Sequence, residues 1–118
     1  MNTTVNPILN LTFEFSLDVI NYVELLRENK RYEMSNQLFR SGTSIGANVH
    51  EAQNSESRAD FIHKMKIAAK EAEETKYWLL LCKKSQWYPN PDTLLEKLQV
   101  IIKILNKIIV TSIKVQPI

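Results

Sequence analysis

SRADFIHKMKIAAKEAEETKYWLLLCKKSQ, residues 57–86, is the stretch that decides the fold. Its apolar and small side chains recur at alternating steps of four and three, the spacing of one face of an α-helix. They are Phe61, Met65, Ala68, Ala72, Thr75, Leu79 and Cys82. A repeat held over so many turns predicts a helix over residues 58–86. Ser57 and Asp60 have the spacing of a capping box that would start this helix.

A helix over residues 7–28 is predicted near the beginning of the chain. Asn6 and Pro7 fit a helix that starts with an Asx cap followed by a proline in the first turn. One apolar stripe then follows at steps of three and four: Leu11, Phe15, Val19, Tyr22 and Leu26. Charged residues interrupt the stripe, so a short connection is expected around residues 29–33.

A second helix is predicted over residues 34–54, and its inward face contains unusually small residues. The inward positions repeat at steps of four and three: Leu38, Gly42, Ile45, Val49 and Ala52. Gly42 and Gly46, with small residues around them, would let a neighbouring backbone come close. A strand and turn around the two glycines is the alternative interpretation.

The last helix is predicted over residues 91–114, with Asn90 as its cap and Pro91 in the first turn. One apolar stripe is expected to face the core: Leu94, Leu98, Ile101, Leu105 and Ile108. A second stripe lies beside it: Leu95, Ile102, Ile109 and Ile113. Because one bundle core does not need both, the second stripe predicts an interface with another copy of the chain.

Length and composition agree with a single helical domain over residues 1–118. The chain is 44% hydrophobic and 24% charged, and it contains only two glycines and four prolines, too few for a loop-rich or all-β fold. Four helices joined by short connections predict an all-α, antiparallel up-and-down four-helix bundle.

Several features favour a protein of the cytoplasm. The first basic residue is Arg27, so the basic start of a signal peptide is missing. The most apolar run, residues 100–115, is interrupted by lysines and is shorter than a membrane span. Cys82 is the only cysteine, which suits a reducing compartment. We therefore expect no membrane contact.

The charges are unevenly distributed along the chain. Residues 1–60 carry 5 basic and 8 acidic side chains (net −3), whereas residues 61–118 carry 10 and 5 (net +5). From Lys97 onward the chain contains four lysines and no acidic residue: Lys97, Lys103, Lys107 and Lys114. These lysines are candidate contacts to RNA or DNA, and a solvated face that only maintains solubility is the alternative.

The sequence contains no recognisable apparatus for catalysis, metal binding or a cofactor. His50 and Glu51 begin like a zinc-protease helix, but Asn54 stands where that motif needs its second histidine. Asp60 and His63 have the spacing used by di-iron bundles, which need two such copies and further glutamates. We therefore expect a non-enzymatic protein.

One group of polar residues is placed unlike an ordinary surface. Arg40, Asn48 and Glu51 share one side of the second helix, and Glu71 and Glu74 share one side of the third. In a hairpin of the two helices, position 40 lies level with about position 72, so Arg40 should face Glu71 or Glu74. Such an ion pair would fix the helix register, or the same groups would hold a ligand or a phosphate.

Several of these segments resemble one known family. They are RSGTSIGAN (residues 40–48), EA (51–52), DFI (60–62), KE (70–71) and ETKYWL (74–79). They are similar to the bacterial four-helix bundle family of 23S rRNA intervening sequence proteins, also called S23 ribosomal proteins. The resemblance implies an up-and-down bundle that assembles into a ring, a homopentamer. Seven positions match the family pattern and are candidate site residues: Arg40, Asn48, Glu51, Lys70, Glu71, Glu74 and Trp78.

Two functional hypotheses follow. The first is a homo-oligomeric bundle whose assembled surface binds RNA or another nucleic acid. The second is a structural or protein-adaptor ring without affinity for nucleic acid.

Overall fold

The chain forms four α-helices in a computed structural model that describes residues 6–114. The helices are α1 (Pro7–Glu28), α2 (Tyr32–Ala52), α3 (Arg58–Lys84) and α4 (Asp92–Lys114). Consecutive helices pack against each other, and α4 packs back against α1 to close the ring of four. The predicted four-helix bundle is confirmed.

The helix starts agree with the sequence patterns except in their capping details. Asn6 does not cap α1; its Nδ2 donates to Gln53 Oε1 at 2.6 Å instead, which ties the start of α1 to the end of α2. At α3, Ser57 Oγ accepts from the Asp60 N–H at 3.0 Å as predicted. Asp60 Oδ2 accepts from the Glu56 N–H at 3.3 Å, and this bond lowers the pKa of the Asp60 carboxyl.

The start of α4 and the start of α2 differ slightly from prediction. Asn90 Oδ1 accepts from the Asp92 N–H at 2.9 Å, so the Asn90 side chain caps the helix as predicted. The helix itself begins at Asp92, so Pro91 lies just before its first turn. The second helix starts at Tyr32, two residues before the predicted position. The connection is therefore shorter than predicted: residues 29–31 join α1 to α2, and Glu33 already lies in the first turn of α2.

The turn between α1 and α2 is a Schellman motif with a lysine in the position that usually holds glycine. The Arg31 N–H bonds to the Leu26 carbonyl at 2.8 Å, and the Lys30 N–H bonds to the Arg27 carbonyl at 2.9 Å. Lys30 has a φ of 61°, the left-handed region, which costs a residue with a Cβ about 1–2 kcal/mol. The chain therefore reverses direction between α1 and α2 within three residues, 29–31.

The core contains the predicted inward faces of all four helices. The largest fully buried side chains lie in every layer of the bundle: Phe15, Leu26, Leu38, Ile45, Met65, Leu79, Leu98 and Leu105. Leu11, Phe61 and Ile108 are only partly buried, and Ile62 is buried beside Phe61. The seven-residue repeat of α3 therefore identified its buried face from Met65 onward.

Gly42 and Gly46 lie within α2 where it crosses α1, so the strand-and-turn alternative is wrong. A Cβ at Gly46 would lie 3.1 Å from the Thr12 carbonyl oxygen, and one at Gly42 would lie 2.9 Å from both Val19 methyl groups. The predicted close approach of a neighbouring backbone is present. Both glycines face α1.

Tyr22 and Cys82 meet in the core near the α3–α4 turn. The Tyr22 hydroxyl donates to the Pro89 carbonyl at 2.5 Å, which holds the turn against α1. Burial raises the pKa of the Tyr22 phenol and that of the Cys82 thiol, so both stay protonated near neutral pH. Cys82 is 1% exposed.

Candidate functional site

The polar cluster predicted between α2 and α3 is centred on Arg40. Its guanidinium contacts two carboxylates one helical turn apart, Glu71 Oε1 at 3.4 Å and Glu74 Oε2 more closely. The Trp78 Nε1 donates to the same Glu74 oxygen at 3.0 Å. Arg40 therefore faces both predicted carboxylates, and the α2–α3 register is the one deduced from the hairpin.

The exposure of its side chains determines how much this cluster contributes to the stability of the fold. The Arg40 side chain is 50% exposed, whereas those of Glu71 and Glu74 are 23% and 35% exposed. Solvent screens such a pair, and exposed ion pairs contribute about 0–1 kcal/mol. The cluster is therefore expected to add little to stability.

A buried pair of hydroxyl groups lies beneath the cluster. The Ser41 and Thr75 oxygens are 2.9 Å apart, and both residues are fully buried. Thr75 Oγ1 also lies 2.8 Å from the Glu71 carbonyl oxygen. Because each hydroxyl has a partner, α2 and α3 share a polar contact inside the core without an unsatisfied group.

The other predicted members of the cluster do not contact Arg40. Asn48 Nδ2 donates to the Ser44 carbonyl of its own helix at 2.9 Å, and Lys70 is exposed on α3. Glu51 belongs to a different surface, because it lines a groove between α1 and α2. Arg40, Glu71, Glu74 and Trp78 therefore form one site, and the remaining three residues do not join it.

The groove that contains Glu51 was not predicted. This α1–α2 groove has a volume of about 710 Å³ and is mainly apolar; its lining residues are Leu9, Asn10, Phe13, Ser16, Leu17, Ile20, Thr43, Gly46, Ala47, His50 and Glu51. Phe13 is 65% exposed, Leu17 49% and Ile20 39%. The signal was present in the sequence as a second stripe on the first helix, at residues 9, 13, 17 and 20.

The predicted interface stripe of α4 is partly covered by the bundle itself. Leu95, Ile102 and Ile109 are half-buried against the core, whereas Ile113 is 47% exposed. The last fully buried residue of α4 is Leu105. Two of the exposed large apolar residues of α4, Val110 and Ile113, lie in its last two turns, and Val100 lies near its middle.

The four C-terminal lysines do not form one patch. Lys97 Nζ lies 2.6 Å from Asp18 Oδ2 on α1, which raises the Lys97 pKa. Lys103, Lys107 and Lys114 are exposed and share the outer face of α4. No carboxylate of residues 6–114 lies within ion-pair distance of these three.

Residues 6–114 contain neither a metal-binding cluster nor a membrane span. No three histidine, cysteine or carboxylate side chains are grouped as a metal ion would require. No helix in this part of the chain combines the length and the hydropathy of a membrane span.

Comparison with known proteins places these features in a family. The family model described as 23S rRNA-intervening sequence protein matches residues 6–107. The chain belongs to this family. A solved structure of a protein of unknown function from the S23 ribosomal protein family of Bacteroides thetaiotaomicron is 41% identical. The match covers 86% of this chain and 97% of that one, with a TM-score of 0.82. No curated protein matches the chain.

Membership of the 23S rRNA-intervening sequence family accounts for the four-helix architecture. The matched range ends at Lys107, so the last two turns of α4 lie outside it. The biochemical role of the family is undefined.

Proposed function

We propose that this family member is a non-enzymatic bundle that works by binding other copies of itself, as a ring of five. The observation that supports the proposal is the exposed apolar surface of α1, where Phe13, Leu17 and Ile20 follow one another along one face. Contiguous apolar patches on soluble proteins mark contact surfaces, because their exposure to water is unfavourable. Ile113 adds a second such position on α4.

Molar mass in solution tests self-association. Light scattering coupled to gel filtration, at several loading concentrations, should give five times the chain mass of 13.7 kDa. A mass that stays at one chain at every concentration would contradict the proposal. Another stable multiple would retain self-association and reject the ring of five.

A second proposed activity is the binding of RNA or another nucleic acid by the outer face of α4. Lys103, Lys107 and Lys114 support it, since they repeat along one exposed face without acidic partners in residues 6–114. In a ring the same face is repeated in every copy, which multiplies weak contacts to phosphate.

Salt dependence distinguishes phosphate binding from simple solubility. Affinity for a structured RNA should fall steeply as salt rises, and Lys103→Gln/Lys107→Gln should flatten that slope. Lys66→Gln/Lys84→Gln removes two exposed lysines of α3 and serves as the control. Absence of binding at low salt would support an adaptor or structural ring that does not bind nucleic acid.

A further inference from the structure

We infer that the α1–α2 groove of one copy receives the C-terminal half of α4, residues 103–114, from a second copy. The inference rests on the self-association proposed above and specifies the two surfaces that meet. Neither surface was identified as the partner of the other by the sequence patterns.

The groove has the form that a helix requires. Its floor includes Thr43, Gly46 and Ala47, whose small side chains leave a shallow depression over the close α1–α2 contact. Phe13 and Leu17 stand along the α1 side and are exposed by 65% and 49%. Helix-in-groove recognition uses this combination of a shallow floor and apolar walls.

The end of α4 supplies a matching apolar strip. Beyond Leu105 no residue of α4 up to Lys114 is fully buried. Val110 and Ile113 are exposed by 49% and 47% and stand three positions apart, so they lie on neighbouring parts of one face. This strip has the helical spacing of groove anchors, and its own bundle leaves it uncovered.

Charge selects this pairing over the contact of two grooves. Glu51 lines one end of the groove, and Glu24 follows Ile20 by one helical turn at the other end. Two grooves in contact would therefore place glutamates near glutamates. The outer face of α4 instead brings Lys103, Lys107 and Lys114. Lysines that pair with the groove are not free to contact phosphate, so this contact and the nucleic-acid site proposed on the same face are alternatives.

The dimensions of the two surfaces are compatible. Residues 9–24 of α1 span about 22 Å, and the lysines from 103 to 114 span about 16 Å, at 1.5 Å per residue. The α4 strip can therefore lie within the groove with a lysine near each acidic end. Because two different surfaces meet, the contact is heterologous, and repetition of it closes a ring or continues as a chain.

Charge reversal provides the test. We expect Glu24→Lys/Glu51→Lys and Lys103→Glu/Lys114→Glu each to weaken self-association by about tenfold or more at low salt, because attraction becomes repulsion. The chain that carries all four substitutions should regain most of the affinity, since its basic groove then meets its acidic α4. Sedimentation velocity over a concentration series measures all three, and circular dichroism confirms that each variant is folded.

The outcomes separate the two proposals. A monomeric wild type would reject self-association itself. An oligomeric wild type with no rescue in the fourfold variant would reject only the groove–α4 pairing. Loss in the Glu24→Lys/Glu51→Lys variant alone, with no effect of the lysine reversals, would also overturn it, because α4 would then lie outside the contact.

A pair of leucine variants tests the apolar part of the contact. Leu17→Glu places a charge in the groove, whereas Leu81→Glu places one on α3, where Leu81 is 40% exposed. We expect Leu17→Glu to dissociate the oligomer and Leu81→Glu to leave it intact. The reverse result would move the interface to α3 and reject the groove.

Discussion

The α1–α2 contact and the last turns of α4 are packed in opposite ways. At the contact, a single added Cβ at Gly46 would lie 3.1 Å from the backbone oxygen of Thr12. In α4, the nine residues after Leu105 contain no fully buried side chain. Small residues thus fix the position of α1 against α2, whereas large apolar residues at the end of α4 exceed what its own core can cover. The first region specifies the fold, and the second leaves surface for a partner.

Shortening a side chain to alanine at Leu105 and at Val110 should give the largest difference in stability between two positions. Leu105 is 0% exposed, so Leu105→Ala should lower the free energy of unfolding by about 2–5 kcal/mol, through lost burial and a cavity. Val110→Ala, only one helical turn and a fraction further along, should change it by less than about 0.5 kcal/mol. Urea unfolding of dilute, dissociated protein measures both. Equal losses would mean that the end of α4 is as well packed as its middle.

Filling the α1–α2 contact should have the next largest effect. Gly42→Ala should destabilise the protein by about 1–2 kcal/mol, because the clash with Val19 exceeds the gain in helix propensity. Val19→Ala removes the clashing methyl groups, so Gly42→Ala should cost nothing in that background. A double-mutant cycle by urea unfolding checks this coupling. Additive losses would contradict direct contact as the cause.

The turn that joins α1 and α2 offers a stabilising change. Lys30→Gly should raise the free energy of unfolding by about 0.5–1 kcal/mol, because glycine accepts the left-handed conformation without a Cβ clash. Lys30→Ala retains the Cβ and serves as the matched control. A gain in both variants would assign the effect to loss of the lysine charge.

The α2–α3 ion pair should give the smallest effect. Arg40→Met should cost about 0–1 kcal/mol, discounted because the guanidinium is half exposed. A double-mutant cycle that combines Arg40→Met with Glu74→Gln isolates the interaction energy between Arg40 and Glu74. If Arg40 sets the register, the variant should also lose order near Trp78, which tryptophan fluorescence reports. A fully folded and equally oligomeric variant would show that the small hydroxyl and apolar contacts suffice.

Helix positions and register could be predicted because they depend on periodicity and loop length. The alignment of Arg40 with Glu71 and Glu74 follows from counting residues on either side of one short connection. The groove was missed because Phe13, Leu17 and Ile20 form a second stripe beside the one assigned to the core. Only the packed bundle shows which of two stripes is left outside.

Other features depend on distances that a pattern does not contain. Glu51 shares a side of α2 with Arg40, but the long guanidinium reaches α3 while the Glu51 side chain borders α1. Lys30 could not be predicted as the left-handed residue, since lysine has no preference for that region. Asn6 fits a cap by residue type, yet Gln53 lies close enough for its Oε1 to accept a hydrogen bond from the Asn6 side-chain amide.

The burial of Cys82 makes its thiol a reporter of transient unfolding around α3. As the only thiol, enclosed on α3 beside Tyr22, it is out of reach of a maleimide or disulfide reagent until α3 separates from its neighbours. The rate of labelling at that single sulfur therefore measures how often the native chain opens locally around α3. No cysteine has to be introduced, and no second one has to be removed.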